Sequence, residues 1–169
     1  MTLAQLLLLV FPLLMLYAAV SDLLSMTIPN WLSLVLIAAF GAFAVAAGVP
    51  LAALGAHALV AALCLIVTFG FFAAGWMGGG DAKLITATAI WFGPSPEMAQ
   101  YVTYAAIYGG VLTLMLIALR AVFKPTFGVA SLDRLLDRAT GVPYGVALGA
   151  AGLVTFAGSY GPQLWGAAV

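Results

Sequence analysis

The chain is 169 residues long, 66% hydrophobic and only 6% charged, with a formal net charge of zero and a mean hydropathy of +1.22. Soluble domains carry about a quarter charged residues, so the solvent for most of this chain is lipid. The charge balance leaves no basic footprint for nucleic acid, and a single cysteine, Cys64, excludes intrachain disulfides and multi-cysteine zinc sites.

The segment Met1 to Ser21 is apolar and lacks a Lys- or Arg-bearing start, so it reads as a retained spanning helix rather than a signal peptide. A span needs about 20 apolar residues, and the candidates are 2–20, 31–49, 51–74, 82–95, 98–119 and 143–166. Asp22 and the Ile28-Pro29-Asn30 turn separate the first two, and Gly48 with Pro50 separates the next pair. The run Gly78-Gly79-Gly80 ends the third, and Gly93-Pro94-Ser95-Pro96 ends the short fourth. No strand-length alternation suggests a barrel, and no polar segment is long enough to fold separately. The expectation is an all-α polytopic membrane protein with six transmembrane helices and one domain over 1–169. Cys64 is expected to pack inside a helix.

All five basic residues fall on one side of this arrangement. Lys83 follows the third helix, and Arg120, Lys124, Arg134 and Arg138 follow the fifth; the opposite side carries Glu97. The excess of Lys and Arg in cytoplasmic loops then puts these loops in the cytoplasm and both termini outside. Within the last loop, Leu132, Leu135 and Leu136 share a helical face over 131–138. That pattern suits a short helix on the membrane surface as well as an ordinary solvated turn.

From Leu23 to Gly80 there is no Asp, Glu, Lys or Arg, and then Asp81 appears. Helices two and three make one trip out and back, so Asp22 and Asp81 return to the same side at similar depth. Taken singly, each aspartate can mark the end of a span or pair with a cation such as Lys83. Two of only five acids at matching depth suggest more. A close pair of carboxylates shares one proton. The ionised member can take a proton from water attacking a peptide carbonyl, while the protonated member hydrogen-bonds the carbonyl oxygen. This is aspartic-protease chemistry, with no metal or cofactor required. The glycines either connect two helices flexibly or, lacking side chains, let a substrate backbone approach Asp81.

Gly78-x-Gly80-Asp81, continuing as Ala82-Lys83-Leu84, resembles the G-x-G-D signature of type IV prepilin peptidases. Ser21-Asp22 followed by Ile28-Pro29-Asn30 resembles their first catalytic segment, and Pro143-Tyr144-Gly145 is similar to the P-Y-G that opens their last helix. All three occur in the family's order, spread over nearly the whole chain. The resemblance implies a bacterial inner-membrane aspartic endopeptidase that removes short basic leaders from pilin-like precursors at the cytoplasmic face. Asp22 and Asp81 would be its catalytic pair, and Gly78, Gly79 and Gly80 its approach loop. Larger members insert a cytoplasmic domain, often with two C-x-x-C pairs, between the first two helices, and also N-methylate the product. Only about nine residues, Asp22 to Asn30, stand there in this chain, so methylation is not assigned. The compact form looks like the small peptidases of Flp/Tad pilus systems, in preference to archaeal preflagellin peptidases. Presenilin-like proteases share G-x-G-D but carry Tyr-Asp and P-A-L, where this chain has Ser21-Asp22 and Pro143-Tyr144-Gly145. A transporter or assembly factor binding protons or cations is the non-enzyme alternative.

Lys83 suits either tuning of the pair or anchoring at lipid headgroups. Pro29 and Asn30 suit the start of helix two, and Pro143 the start of helix six; Tyr144 reaches the pair only if that helix packs beside helices one and three. His57 precedes Asp81 by 24 residues, about 36 Å along a straight helix, so it is expected near the far face as a contact between helices. Trp31, Trp76, Trp91 and Trp165 look like interfacial anchors. Gly109-Gly110, Gly149 and Gly152 suit close helix packing.

Overall fold

The computed structural model describes residues 2–164, and among these all regular structure is helical. The order is α1 (Leu3–Leu8), α2 (Val10–Ser25), α3 (Asn30–Ala46), α4 (Leu51–Ala73), α5 (Gly79–Phe92), α6 (Pro96–Val122), α7 (Ala130–Leu136) and α8 (Tyr144–Leu164). The first expected span is thus two collinear pieces. Pro12 has no N–H for the Leu8 carbonyl, and its ring crowds that carbonyl. The helix accordingly breaks one residue later, at Leu9, which keeps a right-handed backbone (φ −68, ψ −17). The second piece runs five residues past the expected end, so Asp22 lies on its last turns rather than beyond it. Met26, in the left-handed region at φ 54, stops α2 and donates its N–H to the Asp22 carbonyl.

The fourth helix also starts earlier than expected. Gly78 caps α5, Gly79 and Gly80 are its first two residues, and Asp81 and Lys83 stand on the helix rather than in a loop. Glycine is tolerated there because first-turn N–H groups have no helical partner in any case. Packing selects it: a Cβ at Gly80 would meet the Ile28 Cβ at 3.2 Å, and one at Gly79 the Phe72 ring at 3.2 Å. The left-handed glycine of this stretch is Gly75, at φ 75.

Helix α5 is the axis of the molecule. It packs against α3, α4, α6 and α8, and Leu84, Ala87 and Trp91 have no exposed surface. Its 14 residues span only about 21 Å, less than the hydrocarbon layer. Trp91 corrects the reading of the tryptophans as interfacial anchors: it is 0% exposed, with its ring among Phe11, Phe40, Phe43 and Phe156. Its indole N–H donates to the Leu36 carbonyl at 3.1 Å, which is what makes a fully buried tryptophan tolerable. Trp31 and Trp76 are exposed, at 47% and 79%; Trp165 lies outside the described residues.

Helix α4 touches the rest mainly through α5, and only Ala61 and Thr68 along it are buried. Leu59, Leu63, Ile66, Val67, Phe69 and Phe72 face outward, a continuous apolar surface that water would not tolerate and lipid does. Leu3–Ser25, Leu51–Ala73 and Pro96–Val122 are long and apolar enough to cross a membrane, and Asn30–Ala46 is a shorter apolar helix. The protein is an all-α polytopic membrane protein. Helix α8 lies tightly on α2: a Cβ at Gly149 would stand 2.7 Å from the Met15 carbonyl oxygen, and one at Gly152 3.0 Å from the Met15 sulfur. Gly109 makes room for the Tyr144 ring, whereas Gly110 faces open space, so only the first of that pair serves packing. Cys64 is half-buried on α4. Of the two readings of the last loop, the structure has the short helix, α7; it rests against α2 and α6, and its Leu136 is buried.

Candidate active site

Asp22 is 6% exposed at the end of a helix that offers it no cation. What receives it is the start of another helix. The Gly145 N–H, one of the unpaired donors in the first turn of α8, donates to Asp22 Oδ2 at 2.7 Å. The carboxylate therefore caps α8 from outside, where the positive end of the helix dipole also favours an anion. The approach demands glycine: a Cβ at position 145 would fall 2.8 Å from the Asp22 Cβ and 2.9 Å from Oδ2. The turn after Asp22 is held by short polar links. The Ser21 hydroxyl donates to the Thr27 carbonyl at 2.9 Å, and the Ser25 hydroxyl to the Ser21 carbonyl at 2.7 Å.

Asp81 is the third residue of α5, half-buried, and is the only acid in the first turn. Its carboxylate turns back on the helix cap, so that a Cβ at Gly78 would lie 2.9 Å from Oδ2. Asp22 and Asp81 both line one cleft of about 740 Å³, together with Met26, Gly75, Trp76, Met77, Gly78, Thr113, Gly141, Val142 and Tyr144. The structure thus brings Asp22, Asp81, Gly78 and Tyr144 to one cleft, and Gly145 onto Asp22.

The other expected residues stand around it. Pro29 is the cap of α3 and Asn30 its first residue. The Asn30 Oδ1 accepts from Lys83 Nζ at 2.8 Å, so Lys83 ties the start of α5 to the start of α3. Helix α8 does pack beside α2, α5 and α6, which carries Tyr144 to the cleft wall. Its hydroxyl donates to the Ala105 carbonyl at 3.2 Å. Met26, Thr113, Gly141 and Val142 escaped the sequence reading. Thr113 bonds back to the Gly109 carbonyl at 2.7 Å, as Thr103 on the same helix does to Ala99, and no spacing distinguishes it from a packing residue.

His57 lies far from the pair, as expected, although not by the expected length. Its Nδ1 pairs with the Ile90 carbonyl at 2.7 Å and its ring stacks on Phe40. Helices α4 and α5 run antiparallel, so the chain folds back and His57 stands nine residues up α5 from Asp81, about 14 Å along its axis. Near the other end, the Thr68 hydroxyl faces the Ala82 carbonyl at 3.4 Å. Helix α4 continues to Ala73, about 7 Å past that level, and the 74–78 turn comes back over the cleft. Among the described residues, no group of three or more His, Cys, Asp or Glu is placed to hold a metal ion.

Fold and cleft together define a helical membrane protein in which acids from two separate helices line one cavity. The model of the type IV leader peptidase family matches residues 9–118, more than half of the chain, and the chain belongs to that family. No curated protein and no solved structure matches it. The matched stretch contains Asp22, Ile28-Pro29-Asn30 and Gly78 to Lys83; Pro143-Tyr144-Gly145 lies beyond it. Membership makes this a membrane-embedded, type IV leader peptidase-like protease with a protein substrate.

Proposed function

We propose that the protein is an aspartic endopeptidase that removes the short basic leader of a pilin-like precursor, with Asp22 and Asp81 as its catalytic pair. The observation that carries this reading is the cleft: the two acids are 59 positions apart in sequence, yet they line one cavity. One carboxylate, ionised, takes a proton from the water that attacks the scissile carbonyl. The other, protonated, donates a hydrogen bond to the carbonyl oxygen as it gains charge. Collapse of the tetrahedral intermediate returns a proton to the leaving amine and restores the pair. Gly78, with no side chain, lets the Asp81 carboxylate turn back on the helix cap within the cleft.

The charges support a cytoplasmic cleft in a bacterial inner membrane. Arg134 Nη1 donates to the Leu24 carbonyl at 3.1 Å, and Lys83 bonds to Asn30, so cationic segments lie at the end of the molecule that holds Asp22. Only Met26 to Pro29 join α2 to α3, and a peptidase of the Flp/Tad type without N-methylation fits so short a connection.

Reconstitution with a pilin precursor tests the proposal. The unaltered chain should release the leader. Asp22→Asn and Asp81→Asn should each lower the rate at least about 1,000-fold, as loss of a proton-transferring group does, while inserting and purifying normally. Cleavage at the normal rate by either variant rejects the pair. Proton or cation flux without cleavage would favour a transporter.

A further inference from the structure

Helix α6 carries in its last turn an arginine, Arg120, whose side chain does not bond its own helix. The Arg120 guanidinium donates instead to three carbonyls of the segment that follows, one in α7 and two beyond it: Nε to Leu135 at 2.8 Å, Nη1 to Thr140 at 3.0 Å and Nη2 to Gly141 at 2.8 Å. Arg138, inside that loop, returns the contact, with Nε and Nη2 donating to the Arg120 carbonyl at 3.2 and 3.0 Å. Two side chains thus strap 135–141 to the end of α6. A planar fork of donors fits three carbonyls arriving from different directions; a lysine ammonium on its flexible stem does not fix that geometry.

An arginine near a helix end commonly satisfies that helix's last carbonyls. Arg120 is spent elsewhere, on a segment with a direct bearing on the cleft. Gly141 and Val142 form part of its wall. Pro143 follows, with a fixed φ and no N–H, and two residues later the Gly145 N–H holds Asp22. Between the carbonyl that Arg120 grips and the N–H that orients Asp22 there are only three residues, one of them proline. Displacing Gly141 therefore displaces the first turn of α8 and the donor on Asp22.

We propose that Arg120, seconded by Arg138, is a positioning residue for the peptidase reaction: it sets the 140–145 segment so that the Gly145 N–H orients Asp22, without touching substrate. This rests on the reading of Asp22 as catalytic.

The full chain, reconstituted with a precursor substrate, provides the test. Arg120→Ala should lower kcat about 10- to 100-fold, the scale set by small misplacements of a reacting group, with KM changed far less. Millimolar guanidinium should restore much of the lost kcat, and methylammonium should not, because the need is for a planar fork and not merely a charge. Arg120→Lys should stay impaired for the same reason. Hydrogen exchange of Arg120→Ala should quicken over 139–146 and remain unchanged in α3 and α4. A wild-type kcat in Arg120→Ala overturns the proposal, as does equal rescue by methylammonium or exchange quickened throughout the chain. No cleavage by the unaltered protein sinks the peptidase reading and the catalytic half of this one. The exchange measurement then judges the strap alone, and unchanged exchange at 139–146 rejects it.

Discussion

A carboxylate in an apolar layer is costly unless hydrogen bonds or charges receive it, and the two aspartates meet that demand differently. Asp22 takes the backbone N–H of Gly145, 123 positions away in another helix, while Asp81 stands in the first turn of its own helix. The acids themselves were legible in the sequence, because charges are so sparse and one out-and-back trip returns both to the same side. Their partners were not. Gly145 drew notice only through the resemblance to a P-Y-G motif, since sequence separation hides which helix start meets which carboxylate. Gly145→Ala tests this contact most directly. The added Cβ would press on the Asp22 Cβ, its Oδ2 and the Ile28 Cδ1, all within 2.9 Å. The carboxylate must move, and precursor cleavage should fall at least about 10-fold while far-UV circular dichroism stays that of the unaltered chain. An alanine variant with undiminished cleavage would show that Asp22 does not depend on this donor.

At the scale of the element, hydropathy located the helices well because each is bounded by proline, glycine or a charged residue. It placed burial less well. In lipid, apolar residues suit both the outside and the core, so periodicity does not tell Trp91, buried on α5, from Trp76, exposed in a turn. The glycine run misled in a related way. It reads as a connector, yet two of its three members are helical, chosen for the closeness of Ile28 and Phe72. The same physics separates two other glycines. At Gly149 a Cβ would sit 2.7 Å from a backbone oxygen of α2, which cannot swing aside as a side chain can; at Gly110 it would meet nothing within 4 Å. Gly149→Ala should therefore destabilise the protein by about 1–3 kcal/mol, the usual cost of overpacking, and lower its melting temperature in detergent. Gly110→Ala should leave that temperature unchanged or raise it slightly, since alanine is the better helix former. Equal melting temperatures for the two variants would refute the tight α2–α8 contact.

For the whole molecule, the distribution of charge predicts which compartment the cleft opens to. Lys83, Arg134 and Arg138 belong to the end that carries Asp22 and Asp81, through bonds to Asn30, Leu24 and the Arg120 carbonyl; Arg120 stands in the last turn of α6 and Lys124 just past it. The other end of α6 carries Glu97, 27 helical residues and about 40 Å away. An imbalance of five cations to none predicts a cytoplasmic basic end, because basic loops resist translocation. A precursor with a basic leader obeys the same rule, keeping that leader in the cytoplasm and its apolar segment in the bilayer. Enzyme and substrate should thus meet at one face. Labelling a chain with Cys64→Ala and a single new cysteine measures this. In intact spheroplasts, a membrane-impermeant maleimide should modify Pro94→Cys, in the turn before α6. It should spare Thr126→Cys, in the basic loop, until the membrane is permeabilised. The reverse pattern would open the cleft to the outside, away from any leader held by its charges in the cytoplasm. The paired acids would then need a substrate of another kind.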